Sequence, residues 1–287
     1  MPSRVRQIID ERGSIVFPGV YDPLSAKVAE RAGFPMGFVS GYAVSATLLG
    51  EPDLGLLTQT EIIDCARRIC CAVTIPIIVD ADTGYGSALN VVRTVSELID
   101  AGAAGCFLED QQWPKRCGHM LGKQVVDRAE YVEKIRAAVD TRGNHDFFIV
   151  ARTDALAAVG LDEALARVDA AHVEGADATF VEAPSSLDQL ADVGRLAPKP
   201  TVANMVDHGR TPMLDQARLA EMGFDLILYP LTGLYAATHA LTAVYQHLHK
   251  RGTTAEARDS LVTFQQFNDL IGVGEKNALS DKFREGV

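Results

Sequence analysis

The feature that most constrains this chain is an alternation of two kinds of segment. Eight short apolar runs, rich in β-branched residues, are separated by longer stretches with apolar residues at three- and four-residue spacing. The short runs are Ser14–Val20, Met36–Ser40, Ile75–Asp80, Ala104–Glu109, Phe147–Arg152, Ala178–Glu182, Pro200–Asn204 and Leu226–Tyr229. Runs that are apolar on both faces suit parallel strands covered by helices. The helical period lies in Asp22–Ala32, Thr58–Cys71, Ser87–Ala101, Arg128–Val139, Leu161–Glu174 and Leu214–Met222. Gly33, Gly102, Gly175 and Gly223 each follow a helical stretch and precede a strand. Glycine accepts the left-handed conformation that ends a helix. Eight strands in this rhythm predict a (β/α)₈ TIM-type barrel. The alternative, an open doubly wound sheet, more often shows a G-x-G-x-x-G turn after its first strand, and none is present.

A chain of 287 residues suits one such barrel, and we read residues 1–287 as a single domain. Thr253–Val287 is more chain than a barrel needs. It reads as a C-terminal extension of one or two helices, starting near Thr254 or Ala255, that packs on a neighbouring subunit. The net charge is −11 and no Lys/Arg-rich block occurs, which argues against a nucleic-acid partner. An anionic substrate therefore needs a locally positive pocket. The N-terminal segment Met1 to Arg12 is charged throughout, unlike a signal peptide. No apolar run reaches the roughly 18 residues of a membrane helix. Cys65, Cys70, Cys71 and Cys106 sit among apolar or small residues and read as buried packing thiols. Their spacing is not that of a metal site, so a reducing, cytoplasmic setting is expected.

Function in a barrel gathers at the C-terminal strand ends. Here those ends carry Ser40-Gly41-Tyr42, Asp80-Ala81-Asp82-Thr83-Gly84-Tyr85-Gly86, Glu109-Asp110-Gln111, Arg152-Thr153-Asp154, Glu182 and Asn204. Asp80 and Asp82 are two apart, so in extended backbone they point the same way. With Glu109 on the next strand, three acids repel one another unless a cation sits among them. Oxygen-only ligands favour a hard ion, and Mg²⁺ is expected, with Mn²⁺ as a substitute. Arg152 suits a two-pronged contact with a substrate carboxylate, or a salt bridge to Glu109 or Glu182. Asn204 suits a ligand or a loop backbone. His145, His172, His208, His239, His247 and His249 have no partner pattern and read as surface or capping residues.

A second constellation, Pro114-Lys115-Arg116-Cys117-Gly118-His119, lies on the long loop after the fourth strand. A thiol beside Lys115, Arg116 and His119 should have its thiolate stabilised and exchange protons near neutral pH. Gly118 gives the loop a flexible point, which suits a lid. Trp113 beside it reads as a packing residue.

Together these motifs resemble the isocitrate lyase and phosphoenolpyruvate mutase superfamily, from about Val16 to about Tyr235. The marks are Pro18-Gly19-Val20-Tyr21-Asp22-Pro23-Leu24-Ser25-Ala26, Leu49-Gly50-Glu51-Pro52-Asp53-Leu54-Gly55 and the Asp80, Glu109, Lys115 and Arg152 motifs above. The resemblance implies Mg²⁺ held by Asp80, Asp82 and Glu109, partly through water, with Asp53 in the outer shell. It implies that Ser40, Gly41 and Tyr42 hold a pyruvate-like end and that Arg152 binds its carboxylate. In the lyase branch, the residue at Cys117 is the general acid. Lys115, His119 and Tyr42 join it as candidate catalytic residues. Gly118, His119, Glu182 and Asn204 are expected to line the substrate. Members commonly form homotetramers that exchange C-terminal helices.

The implied reaction cleaves a carbon–carbon bond of a small 2-hydroxy dicarboxylate, releasing pyruvate. Tyr42 is a weak candidate for the base. The branches for phosphonate mutases, phosphonopyruvate hydrolases and oxaloacetate decarboxylases usually lack the cysteine, although one carboxyphosphoenolpyruvate mutase branch carries it. A phosphonomutase, an oxaloacetate decarboxylase and an idle ligand-binding barrel therefore stay as alternatives. Bacterial methylisocitrate lyases have an arginine where Tyr235 stands. Its replacement suggests a less charged substrate, such as a substituted malate.

Overall fold

The computed structural model describes residues 3–120 and 122–284. Eight parallel strands close into a barrel, each hydrogen-bonded to the next and the last to the first. They are β1 (Ile15–Val20), β2 (Gly37–Val39), β3 (Ile77–Asp80), β4 (Gly105–Glu109), β5 (Phe148–Thr153), β6 (Ala178–Val181), β7 (Thr201–Asn204) and β8 (Leu226–Tyr229). Every expected strand is present, with ends shifted by a residue or two. Most differences lie at the N-terminal ends, where apolar residues precede the first ladder pairing and the apolar pattern does not mark where pairing begins.

Alternation along each strand decides what enters the barrel. Phe38, Ile78, Phe107, Val150, Phe180 and Val202 share one interior cluster. Their strand neighbours Val39, Val79, Leu108 and Ala151 belong to a second cluster under the helices. Val181 and Ala203 belong to a third. Two residues beyond each interior residue come Ser40, Asp80, Glu109, Arg152, Glu182 and Asn204. Pleating alone therefore aims the six polar side chains at the mouth.

The six expected helices form, for example Gln59–Cys70 and Leu161–Val173, and the four glycines after them all have positive φ. Short, mixed segments were not legible as helices. Arg4–Arg12 is one of these, and its Val5 and Ile9 are buried in the interior cluster, so it plugs the barrel below β1. Leu187–Leu196, broken in pattern by Gly194, is another.

By its internal contacts the chain forms two units, Met1–Gly233 and Leu234–Val287. The second holds most of a long helix, Thr232–Arg251, then Ala255–Ser260, Phe264–Ile271 and Val273–Arg284. None of these has a buried residue. The extra C-terminal helices thus begin earlier than Thr253, and residues 285–287 lie outside the described residues. No helix among the described residues is long and apolar enough to cross a membrane.

The cysteine reading needs one correction. Cys106 is buried and Cys65 and Cys70 are half-buried, but Cys71 is exposed. It caps the helix Gln59–Cys70 just past its last apolar contact. All five thiols are free.

Candidate active site

The mouth of the barrel holds a small, partly open cavity of about 40 Å³. Ser40, Tyr42, Asp53, Asp80, Lys115, Cys117, Gly118, His119, Arg152, Glu182 and Asn204 all line it. Residues from distant parts of the sequence thus meet where the alternation predicts. Below them Phe38, Phe107 and Phe180 stack, with ring centroids 4.7 and 5.7 Å apart. The Arg152 guanidinium lies 5.4 Å above the Phe180 ring.

Asp80 and Asp82 converge, but not by extended backbone as expected. The strand ends at Asp80, and Asp82 takes φ 47°. Its amide donates to Asp80 Oδ1 at 3.2 Å, so a turn folds the two acids together. Tyr85, also at positive φ, donates its hydroxyl to Asp82 Oδ2 at 3.0 Å. Gly41 faces this pair. A Cβ there would sit 3.0 Å from Asp80 Oδ2 and 3.5 Å from Asp82 Oδ1. Its own amide donates to Asp80 Oδ2 at a long 3.4 Å. Ser40 caps the short helix Gly41–Val44, accepting from the Ala43 amide.

Residues 115–119 of the loop after β4 line the cavity. Lys115 is almost wholly buried, with Nζ 2.6 Å from both Asp53 Oδ1 and Asp82 Oδ1. Burial opposes its charge, but Asp82 and Asp53 hold the ammonium protonated well above its usual range. Gly118 lies so close to β5 and β6 that a Cβ would come within 2.5 Å of the Glu182 carboxyl carbon and 2.6 Å of Arg152 Nη2. His119 Nδ1 accepts from the Arg210 amide at 3.0 Å. That bond puts the imidazole hydrogen on Nε2, which lies 3.2 Å from Glu182 Oε1.

Arg152 is ringed by acids. Its Nε lies 3.2 Å from Glu109 Oε2 and 2.9 Å from Asp154 Oδ2, and Nη2 lies 3.3 Å from Glu182 Oε2. Asn204 donates to the Glu182 carboxylate at 3.2 and 3.3 Å, while its own Oδ1 is buried without a donor. Burial pushes Glu182 up, but Arg152 and then His119 overcome it and bring its pKa down to about 2. Asp80 goes the other way, to about 6, through burial and then its neighbour Asp82. Burial likewise drives Glu109 well above the ordinary carboxylate range, against the pull of Arg152.

The thiol departs from expectation. Burial raises Cys117 to about 11; the His119 amide opposes this, while Asp53 and Glu182 add to it. Lys115 does not stabilise a thiolate because its charge is committed to Asp53 and Asp82. The Cys117 thiol therefore keeps its proton at neutral pH.

The acids fit a hard dication. Among the described residues, the six carboxylates of Asp53, Asp80, Asp82, Glu109, Asp154 and Glu182 share three Lys or Arg cations, Lys115, Lys123 and Arg152, with the His119 imidazole beside Glu182. Glu109 Oε1 is buried without a donor, and Asp82 Oδ1 meets only the Lys115 ammonium. Among the described residues, no three His, Cys, Asp or Glu side chains gather closely enough to hold an ion by themselves. A hard ion held here would need waters or substrate oxygens to complete its shell.

Asp154 and Lys123 were missed as site residues. Both are buried, and Lys123 Nζ lies 2.6 Å from Asp154 Oδ1. Asp154 stood in a recognised motif. Lys123 carried no local signal, because an ion pair across 31 positions leaves no spacing to read.

Comparisons with known proteins bear on the family and the fold. The profile of the phosphoenolpyruvate phosphomutase family matches residues 5–249. The chloroplastic carboxyvinyl-carboxyphosphonate phosphorylmutase of Arabidopsis thaliana is 51% identical over 273 residues, covering 94% of this chain and 80% of that protein. The 2,3-dimethylmalate lyase of Eubacterium barkeri is 44% identical over 284 residues, covering 99% and 98%. Among solved structures, oxaloacetate acetylhydrolase bound to the inhibitor 3,3-difluorooxalacetate superposes with a TM-score of 0.91 at 36% identity, covering 97% of this chain and 95% of that one.

Proposed function

The chain belongs to the phosphoenolpyruvate phosphomutase family, and on that premise we propose that it is a Mg²⁺-dependent carbon–carbon bond lyase. Its substrate is a small 2-hydroxy dicarboxylate, and its products are pyruvate and a second carboxylic acid. The observation that carries this reading is the Cys117 thiol lining one cavity with Asp53, Asp80, Arg152 and Glu182, where burial keeps it protonated.

Asp80, Asp82 and Glu109 would hold the ion, with Asp53 as an outer partner. The chemistry that bound Mg²⁺ supplies is charge stabilisation at the oxygens of the 2-oxo acid half. Ser40 and the amides of Gly41 and Tyr42 orient that half, and Arg152 meets its carboxylate. Arg152 is already paired, so the incoming carboxylate competes with Glu109, Asp154 and Glu182. Tyr42 faces the cavity as the candidate that takes the hydroxyl proton. When the C2–C3 bond breaks, its electron pair stays on C3, next to the departing carboxylate. Cys117 donates its proton to that carbon. Asn204 Oδ1 and the His119–Glu182 pair face the departing half, beside the apolar side chains of Val206, Leu228 and Leu231. That apolar wall favours alkyl substituents over a third carboxylate, as in a substituted malate.

A second reading, a phosphonomutase, is favoured by the 51% identity to the Arabidopsis enzyme. A phosphoryl group asks for free cations, whereas Lys115, Lys123 and Arg152 are each bound to site acids. The lyase fits that charge balance better. The setting we infer is cytoplasmic, which suits five free thiols. The assembly we infer is a homotetramer that covers the apolar C-terminal helices.

The test is pyruvate release with Mg²⁺ from 2-methylisocitrate, 2,3-dimethylmalate, citramalate and oxaloacetate, run beside Cys117→Ala and with EDTA. Release from a substituted malate is expected, abolished by either change. Release from oxaloacetate alone, unaffected by Cys117→Ala, would make the protein a decarboxylase. No release from any of the four would favour the mutase.

A further inference from the structure

Lys123 lies at the far end of the loop that carries Cys117. Its side chain is 2% exposed, an unusual place for an ammonium. Nζ donates to two acceptors, the Gly118 carbonyl and Asp154 Oδ1. Gly118 directly follows Cys117, so the first bond fixes the backbone beside the thiol. Asp154 is wholly buried, and it also accepts from Arg152 Nε at 2.9 Å and Nη2 at 3.3 Å. One carboxylate thus receives both the loop's ammonium and the anion-binding guanidinium.

The carboxylate is itself anchored. The Asp154 amide donates to Asp110 Oδ1 at 2.8 Å, and the Thr153 hydroxyl donates to Asp110 Oδ2. Arg167, on the helix Leu161–Val173, donates to Asp110 Oδ2 at 3.1 Å and to the Val126 carbonyl at 2.7 Å. Both ends of the loop are therefore referred to one rigid set of buried groups. Opening the loop would withdraw Lys123 and leave Asp154 with a single cation.

We propose that Lys123 is a positioning residue, which latches the Cys117 loop shut and sets Arg152 through their shared partner Asp154. Lys123 touches no reacting atom. It fixes where the thiol stands relative to the carboxylate held by Arg152, and an error of an ångström there is costly. The closed loop and the tuned arginine are then one event.

The turnover part of the test rests on the lyase reading; the proteolytic part does not. The full-length protein with Mg²⁺ is digested briefly with trypsin, and cleavage after Arg116 is followed by mass spectrometry. Lys123→Met should speed that cleavage roughly tenfold or more, the range for losing a charge-assisted hydrogen bond. Asp154→Asn should do the same, and Lys123→Arg should restore most of the protection. In turnover, Lys123→Met should lower kcat and raise KM together, since thiol and arginine are both displaced. If Lys123→Met does not fold, Lys123→Gln, which keeps one donor, takes its place. Cleavage within about twofold of the native rate would overturn the latch, even if turnover fell. Faster cleavage with no turnover of any tested acid would keep the latch and count against the lyase.

Discussion

Cys117 and Cys71 differ in environment, and that difference can be read chemically. Cys71 is exposed, while burial beside Asp53 and Glu182 holds Cys117 up at about 11. A thiol with a raised pKa keeps its proton until the pH approaches that value, so the acid form is lost only at the alkaline end. Iodoacetamide near pH 8 should therefore label Cys71 well before Cys117, as peptide mass spectrometry would report. Between about pH 6 and 9, kcat/KM should show no loss that Cys117→Ser removes. Early labelling of Cys117 would contradict the raised pKa. At this scale the sequence was a partial guide. Cys117, Arg152 and the acids were legible because each stands in a motif. The state of the thiol was not, because it depends on which acids had already claimed Lys115. Lys123 was invisible for the same reason.

Among the elements, strand alternation and loop closure do different work. The strands were legible because both their faces are buried and their patterns are short and apolar. Once they are placed, alternation puts Asp80 above Ile78, Glu109 above Phe107 and Glu182 above Phe180. The turn that brings Asp82 back to Asp80 was not legible, because its positive φ is set by packing around Tyr85. The closed loop depends on Gly118, where any Cβ would press on Glu182 and Arg152. Gly118→Ala should lower kcat/KM by roughly a hundredfold while Tm moves by only a few degrees, since the loop adds little to the core. A large fall in Tm, with kcat/KM intact in the remaining folded protein, would assign Gly118 to stability instead.

Taken whole, the molecule carries a barrel legible from its repeating rhythm and a helical unit whose extent was underestimated. The helix Thr232–Arg251 already lies mostly in the unit Leu234–Val287, so the helical part begins well before Thr253. Phe264 and Phe283 in that unit are 84% and 71% exposed. Apolar surface of this kind calls for a partner. The double variant Phe264→Ser, Phe283→Ser should sediment as a smaller species than the native protein at equal concentration, with unchanged helical circular dichroism. Equal sedimentation would show that these rings do not join subunits.

The stacked rings of Phe38, Phe107 and Phe180, with the helix Arg4–Arg12 beneath them, make the barrel a blind alley. Whatever enters from the mouth must leave by the mouth. On the lyase reading, both fragments formed at the mouth share that one way out.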